Sequence, residues 1–131
     1  IGENAFYGCI GLASITIPEG VTTIGEGAFY GCTGLTFIDL PNTVTRLDHE
    51  AFYGCAGLRE VMLPNSITYF GYRLFQNCTG LSSINYPASL TECHSWADIF
   101  KGCSSPRALL PFVPMCSPAP TIWKRSSCLS L

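Results

Sequence analysis

Shifted against itself by 23 residues, the sequence aligns residues 1–92 as four units without a gap, beginning at Ile1, Ile24, Leu47 and Phe70. A unit this short cannot close a hydrophobic core of its own, so its apolar residues must bury themselves against the next copy. That requirement replaces the globule with a stack. The anchors recur in register: Phe6, Phe29, Phe52 and Phe75, then Cys9, Cys32, Cys55 and Cys78, then Leu12, Leu35, Leu58 and Leu81. Gly11, Gly34, Gly57 and Gly80 precede each Leu, and Pro18, Pro41, Pro64 and Pro87 close each following segment.

Each unit reads as three pieces. Ala-Phe-Tyr-Gly-Cys, at residues 5–9, 28–32 and 51–55, reads as a tight helical or 3₁₀ turn, with a Gly before Cys where a helix end needs positive φ. In the fourth unit Asn77, the usual substitute, stands there. The second piece, Leu12, Ile15 and Ile17 with its copies, alternates apolar and polar at its end, which is strand spacing with one face buried. Pro ends it by removing a ladder donor. The third, Val21 to Ile24 and its copies, is short and β-branched and predicts a second extended segment on the opposite side. The expected architecture is a β-rich solenoid of parallel strands about 4.8 Å apart. Its interior columns would be Ala5/Ala28/Ala51/Leu74, the Phe, Cys and Leu columns, and the two strand columns.

The repeat explains an odd composition. Hydrophobic residues make up 47% of the 131, and charged residues only 12%, against roughly 25% in a typical soluble domain. Such apolar content excludes a disordered chain. Seven Lys and Arg against nine Asp and Glu leave a net charge of -2, which offers no basic footprint for nucleic acid. No run of about 18 apolar residues exists to span a membrane.

The pattern Ile24-Gly25-x-x-Ala28-Phe29-x-x-Cys32-x-x-Leu35-x-x-Ile38-x-Leu40-Pro41, with its three copies, resembles the BspA-like leucine-rich repeat family. The resemblance covers residues 1–92. It implies a right-handed solenoid of the leucine-rich-repeat type used for protein recognition, often on proteins displayed at microbial cell surfaces and implicated in adhesion, and it implies no catalytic residue. One departure stands out. The customary Asn two residues after the Pro41 position is replaced by Gly20, Thr43, Ser66 and Ser89, so no asparagine ladder holds those turns.

A fifth unit begins at Cys93 and carries two inserted residues ahead of Phe100-Lys101-Gly102-Cys103, with Pro106 in place of the Leu anchor. Residues 104–131 hold five Pro and six Ser without a period. The domain reading is therefore a repeat array over 1–103, four full units and one degenerate, followed by an irregular Pro/Ser-rich tail over 104–131. The tail is either a weakly packed end or a cover folded over the last rung through Phe112 and Trp123. At the other end the chain opens on Ile1 in mid-pattern, with no initiating Met and no signal peptide, which reads as a piece of a longer array. Phe6, Leu12 and Ile15 would then lie edge-on, and self-association through this uncapped rung is expected.

Eight Cys raise the question of chemistry. Four lie in the 23-residue column, where parallel side chains one rung apart favour buried structural thiols over bridges. Cys93 and Cys103 continue core positions, and only Cys116 and Cys128 fall off-pattern. No Cys-x-x-Cys pair is present, so no zinc spacing is met. Cys93 and His94 make a weak nucleophile and base, because sequence neighbours on an extended segment point to opposite faces. Asp48-His49-Glu50 fills variable positions and reads as a solvated loop. Gly25 and Gly27 lack the third Gly and the preceding strand of a phosphate loop. Asn77-Cys78-Thr79 fits the glycosylation pattern, but its middle residue belongs to the core column.

The informative variation lies at strand positions that face outward. Ala13, Thr36, Arg59 and Ser82 form one row, Ser14, Phe37, Glu60 and Ser83 a second, and Thr16, Asp39, Met62 and Asn85 a third. Phe37 and Met62 among Asp39, Arg59, Glu60 and Asn85 give the mix of apolar anchor and polar rim that a protein-binding face requires. These six residues are the candidate site of a non-enzymatic recognition module that takes no cofactor and no metal. Its expected partner is a protein of the extracellular matrix or cell surface. The competing reading is a structural spacer or regulatory segment without a ligand of its own, which predicts small, polar outward rows throughout.

Overall fold

The computed structural model describes residues 1–85, 87 and 101–103. Every described strand is two or three residues long, because each unit divides its extended residues between two short stretches, each ended by a turn. The first sheet holds β1 (Ser14–Thr16), β3 (Phe37–Asp39), β5 (Glu60–Met62) and β7 (Ser83–Ile84), in that spatial order. A second holds β2 (Thr23–Ile24), β4 (Arg46–Leu47) and β6 (Tyr69–Phe70). All pairings are parallel, and the register is that of the sequence repeat: Ile15 opposite Ile38, Ile38 opposite Val61, Val61 opposite Ile84. The chain therefore coils once per 23-residue unit.

From the second unit onward the predicted columns form one continuous core, whereas Ala5 and Cys9 of the first unit, with no earlier rung against them in the structure, are exposed. Phe29, Phe52, Phe75, Cys32, Cys55, Cys78, Leu35, Leu58, Leu81, Ile38 and Val61 are all buried. Among the described residues no polar or charged side chain is fully buried, so the core imposes no partner on any of them. The Phe rings stack as a ladder, with centroids 5.2, 5.3 and 5.5 Å apart from Phe6 through Phe75. Tyr7, Tyr30 and Tyr53 stack beside them at 4.7 and 4.6 Å. Burial and its stacked neighbours raise the phenol pKa of Tyr30 above its ordinary value.

The Ala-Phe-Tyr-Gly-Cys segments are turns and not the helical or 3₁₀ pieces expected. The reason is where their amides point. Ala28, Tyr30 and Cys32 donate to the carbonyls three residues back, while Gly27, Phe29 and Gly31 donate to His49, Ala51 and Tyr53 of the next unit. A helix needs successive amides to bond within the segment, and here every second one is committed to the neighbouring rung. The left-handed position before Cys is real: Gly8, Gly31, Gly54 and Gly102 have φ of 68, 67, 68 and 81°, and Asn77 has 61°.

The missing asparagine ladder has a substitute made of hydroxyls. Thr43 Oγ1 donates to the Val21 carbonyl at 2.8 Å and accepts from the Gly20 amide at 3.2 Å, and Ser66 Oγ donates to the Val44 carbonyl at 2.6 Å. Thiols form another ladder. Cys32, Cys55, Cys78 and Cys103 each donate Sγ–H to the carbonyl of Phe6, Phe29, Phe52 and Phe75, at 3.0, 3.1, 3.0 and 3.2 Å. The first three bonds span 26 residues and the last spans 28, so Cys103 keeps the column's bond across an interval two residues longer.

Burial pushes the Cys32 and Cys103 thiols up to about 11. Contact with the Cys55 thiol, and then burial, holds Cys78 well above the ordinary value. Neutral thiols therefore stabilise the fold fully below pH 9, the ordinary thiol value. That contribution falls as pH climbs to about 11, because the unfolded chain releases protons that the folded one keeps. The loss should reach about 2.7 kcal/mol for each of Cys32 and Cys103, read as a falling urea midpoint across that window. At pH 8, iodoacetamide should label exposed Cys9 at once and reach Cys32, Cys55 and Cys78 only at the rate of unfolding, as peptide mapping by mass spectrometry would show.

Candidate interaction surface

Strand alternation sets the outer face of the first sheet. Ile38 and Val61 point into the core, so Phe37 and Asp39 on β3, and Glu60 and Met62 on β5, point out. Phe37 lies opposite Glu60, and Asp39 opposite Met62. The two large apolar side chains thus sit on a diagonal of adjacent strands, crossed by a diagonal of two carboxylates. Phe37 is 43% exposed and Met62 44%, which leaves about half of each ring or chain for a partner. Arg59, immediately before β5, is exposed too, and its carbonyl accepts from the Ser82 amide and from Ser82 Oγ at 3.2 Å, so the next rung fixes its backbone.

Asn85 differs from the other five. It is half-buried, with Nδ2 donating to the Leu63 carbonyl at 2.7 Å and Oδ1 accepting from the Leu63 amide at 2.6 Å. Its side chain substitutes for the strand ladder one unit back, so it braces the rim of the face.

The variable loop read as solvated is instead a knit cluster. Arg46 Nε meets Asp48 Oδ1 at 2.6 Å, and its guanidinium lies 4.0 Å over the Tyr69 ring. The Tyr72 amide donates to His49 Nδ1 at 2.8 Å, the His49 and Tyr72 rings stack at 5.0 Å, and Arg73 Nη1 meets Glu50 Oε1 at 3.1 Å. The signal was present in the register: Glu50 and Arg73 stand 23 residues apart with opposite charge. Asn77 Nδ2 donates to Tyr53 Oη at 2.9 Å, so the nitrogen that glycosylation would need is engaged. Among the described residues, no three His, Cys, Asp or Glu side chains are grouped to hold a metal ion. No helix there is long and apolar enough to cross a membrane. Cys93, His94, Cys116, Cys128 and the Phe112–Trp123 cover lie outside the described residues.

Residues 1–108 match the BspA type Leucine rich repeat region in six copies. The chain belongs to the BspA-type leucine-rich repeat family. Solved structures agree with this BspA-type assignment. A leucine rich cell surface protein from Faecalibacterium prausnitzii is 39% identical over 64% of this chain and 22% of its own, with a TM-score of 0.62. The Treponema protein TpLRR, a leucine rich repeat protein of T. pallidum, is 29% identical over 96% of this chain and 73% of its own, at 0.60. The pneumococcal vaccine antigen PcpA is 28% identical over 68% of this chain and 22% of its own, at 0.65. The BspA-type chain thus spans about a fifth of the first and third of these proteins. No curated protein matches it.

Proposed function

We propose that this array is a non-enzymatic protein-recognition module whose first-sheet face binds a protein of the extracellular matrix or cell surface. The observation that carries the reading is the pair Phe37 and Met62, apolar and exposed on a face whose other positions are small or charged. A spacer has no use for them, since the core is complete in Ile38, Val61 and their columns. Asp39, Arg59 and Glu60 supply the polar rim that fixes orientation and register. Two similar proteins are described as a cell surface protein and a vaccine antigen, which supports display outside the cell. The array over 1–103 is the recognition unit in this reading, and the tail over 104–131 is an appendage to it.

The test is surface plasmon resonance against a panel of matrix and cell-surface proteins. Replacing Phe37 and Met62 together by Ser should leave the urea midpoint within about 0.5 kcal/mol of the parent, as exposed substitutions do, and cut affinity at least tenfold. Equal loss of folding and binding would place both side chains in the core.

A second contact follows from the first rung. Phe6, Leu12 and Ile15 are only half-buried, and each packs against the core from one side. Among the described residues strands β1 and β2 are each paired on one side only, and an open strand edge templates further strands. The 131-residue chain should therefore sediment with a coefficient that rises with concentration. A single monomer boundary up to millimolar protein would contradict this.

A further inference from the structure

We propose that the cleft lined by Glu26, His49, Glu50, Tyr72 and Arg73 binds a neutral saccharide, independently of the protein-binding face. The cleft follows strands β2, β4 and β6, is open to solvent and has a volume of about 510 Å³, within the roughly 300–1,000 Å³ of small-ligand sites. Two observations converge on it.

The first is conformational. Glu50 and Arg73 hold φ of 55 and 53°, the left-handed region that disfavours any side chain, while the same column carries Gly27 and Asn4 one and two units earlier. The array keeps two long charged side chains where glycine is the less strained choice, and both line the cleft. Strain retained at adjacent rungs and directed at one cavity points to a use.

The second is chemical. Because His49 Nδ1 accepts the Tyr72 amide, the neutral ring carries its proton on Nε2 and offers a donor. Arg73 adds guanidinium donors, Glu26 and Glu50 add carboxylate acceptors, and Tyr72, 51% exposed, adds an aromatic ring beside them. Vicinal hydroxyls both donate and accept, and a sugar ring also carries a C–H face, so this lining is their complement. Two carboxylates against one guanidinium disfavour an anion, and none of the five described lining residues is aliphatic, which disfavours a purely apolar ligand. Behind the lining, the Tyr69 ring meets the His49 ring edge-on at 6.3 Å.

The 131-residue chain would be applied to an array printed with neutral, sialylated and sulfated oligosaccharides, with a random-peptide array alongside. Retention on neutral oligosaccharides is expected, reduced at least tenfold by the double substitution E50G/R73G and unchanged by Phe37→Ser with Met62→Ser. Glycine suits the left-handed backbone at both positions, so E50G/R73G should keep or raise the urea midpoint. Should it lower the midpoint, Arg73→Gln, which removes the guanidinium and retains length, serves in its place with the same loss expected. The proposal is overturned by no retention on neutral oligosaccharides, by retention confined to sialylated or sulfated ones, by retention indifferent to these substitutions, or by peptide retention alone.

Discussion

Gly57→Ala should destabilise the array by about 3 kcal/mol, the upper end of the usual cost of overpacking, whereas Gly11→Ala should leave it nearly unchanged. A Cβ at Gly57 would run into the Thr33 carbonyl oxygen one unit back and crowd that of Leu35. The obstacle is backbone, held by the rung's own hydrogen bonds, and cannot swing away as a side chain can. Gly34 and Gly80 meet the Ile10 and Ala56 carbonyls in the same manner, so the clash belongs to the column. At Gly11 nothing lies within 4 Å. The pair isolates stacking, since the substitution, the neighbouring Leu and the unfolded-state effect are the same at both sites. Urea denaturation of the two variants checks it; equal effects would show that the glycines serve turn conformation alone.

Phe52→Ala should cost about 3–5 kcal/mol, enough to move a urea midpoint by roughly 2 M at an m-value of about 2 kcal/mol/M. Phe52 is fully buried between Phe29 at 5.3 Å and Phe75 at 5.5 Å. Truncation removes both stacking contacts at once, and the ladder cannot close the gap without shortening the strand spacing that the sheets fix. Because each unit contacts only its neighbours, the loss falls on the coupling between the first two units and the fourth. Phe6→Ala, at a half-buried ring stacked on one side, should cost about half as much. A two-step unfolding curve for Phe52→Ala alone is the further signature of an interrupted array.

How far the sequence specified this structure depends on whether a residue sits in a repeated column. Phe29, Cys32, Leu35 and Ile38 recur at fixed offsets, and periodicity alone located the strands, the core from the second unit onward, and the positive φ at Gly31 and Asn77. The turn geometry was not legible, because composition cannot tell whether the amides of Gly27 and Phe29 bond within the segment or to the next rung. The Thr43 and Ser66 hydroxyl ladder was hidden for a different reason: two residue types share one role, and only the bond to the carbonyl one unit back unites them. Asn85 was placed on the correct row, yet its amide turned to the Leu63 backbone. His49, Glu50, Tyr72 and Arg73 occupy variable positions, where the period is silent and only pairwise chemistry at the 23-residue offset reveals contact.

The most direct measurement is hydroxyl-radical footprinting of the array with and without the tightest-binding protein of the matrix and cell-surface panel, since Met and Phe side chains oxidise readily when exposed. Protection is expected at Phe37 and Met62, exposed at 43% and 44% in the free chain, with Tyr7 and Tyr72 unchanged. Protection at Tyr72 or Tyr7 while Phe37 and Met62 oxidise as before would contradict it.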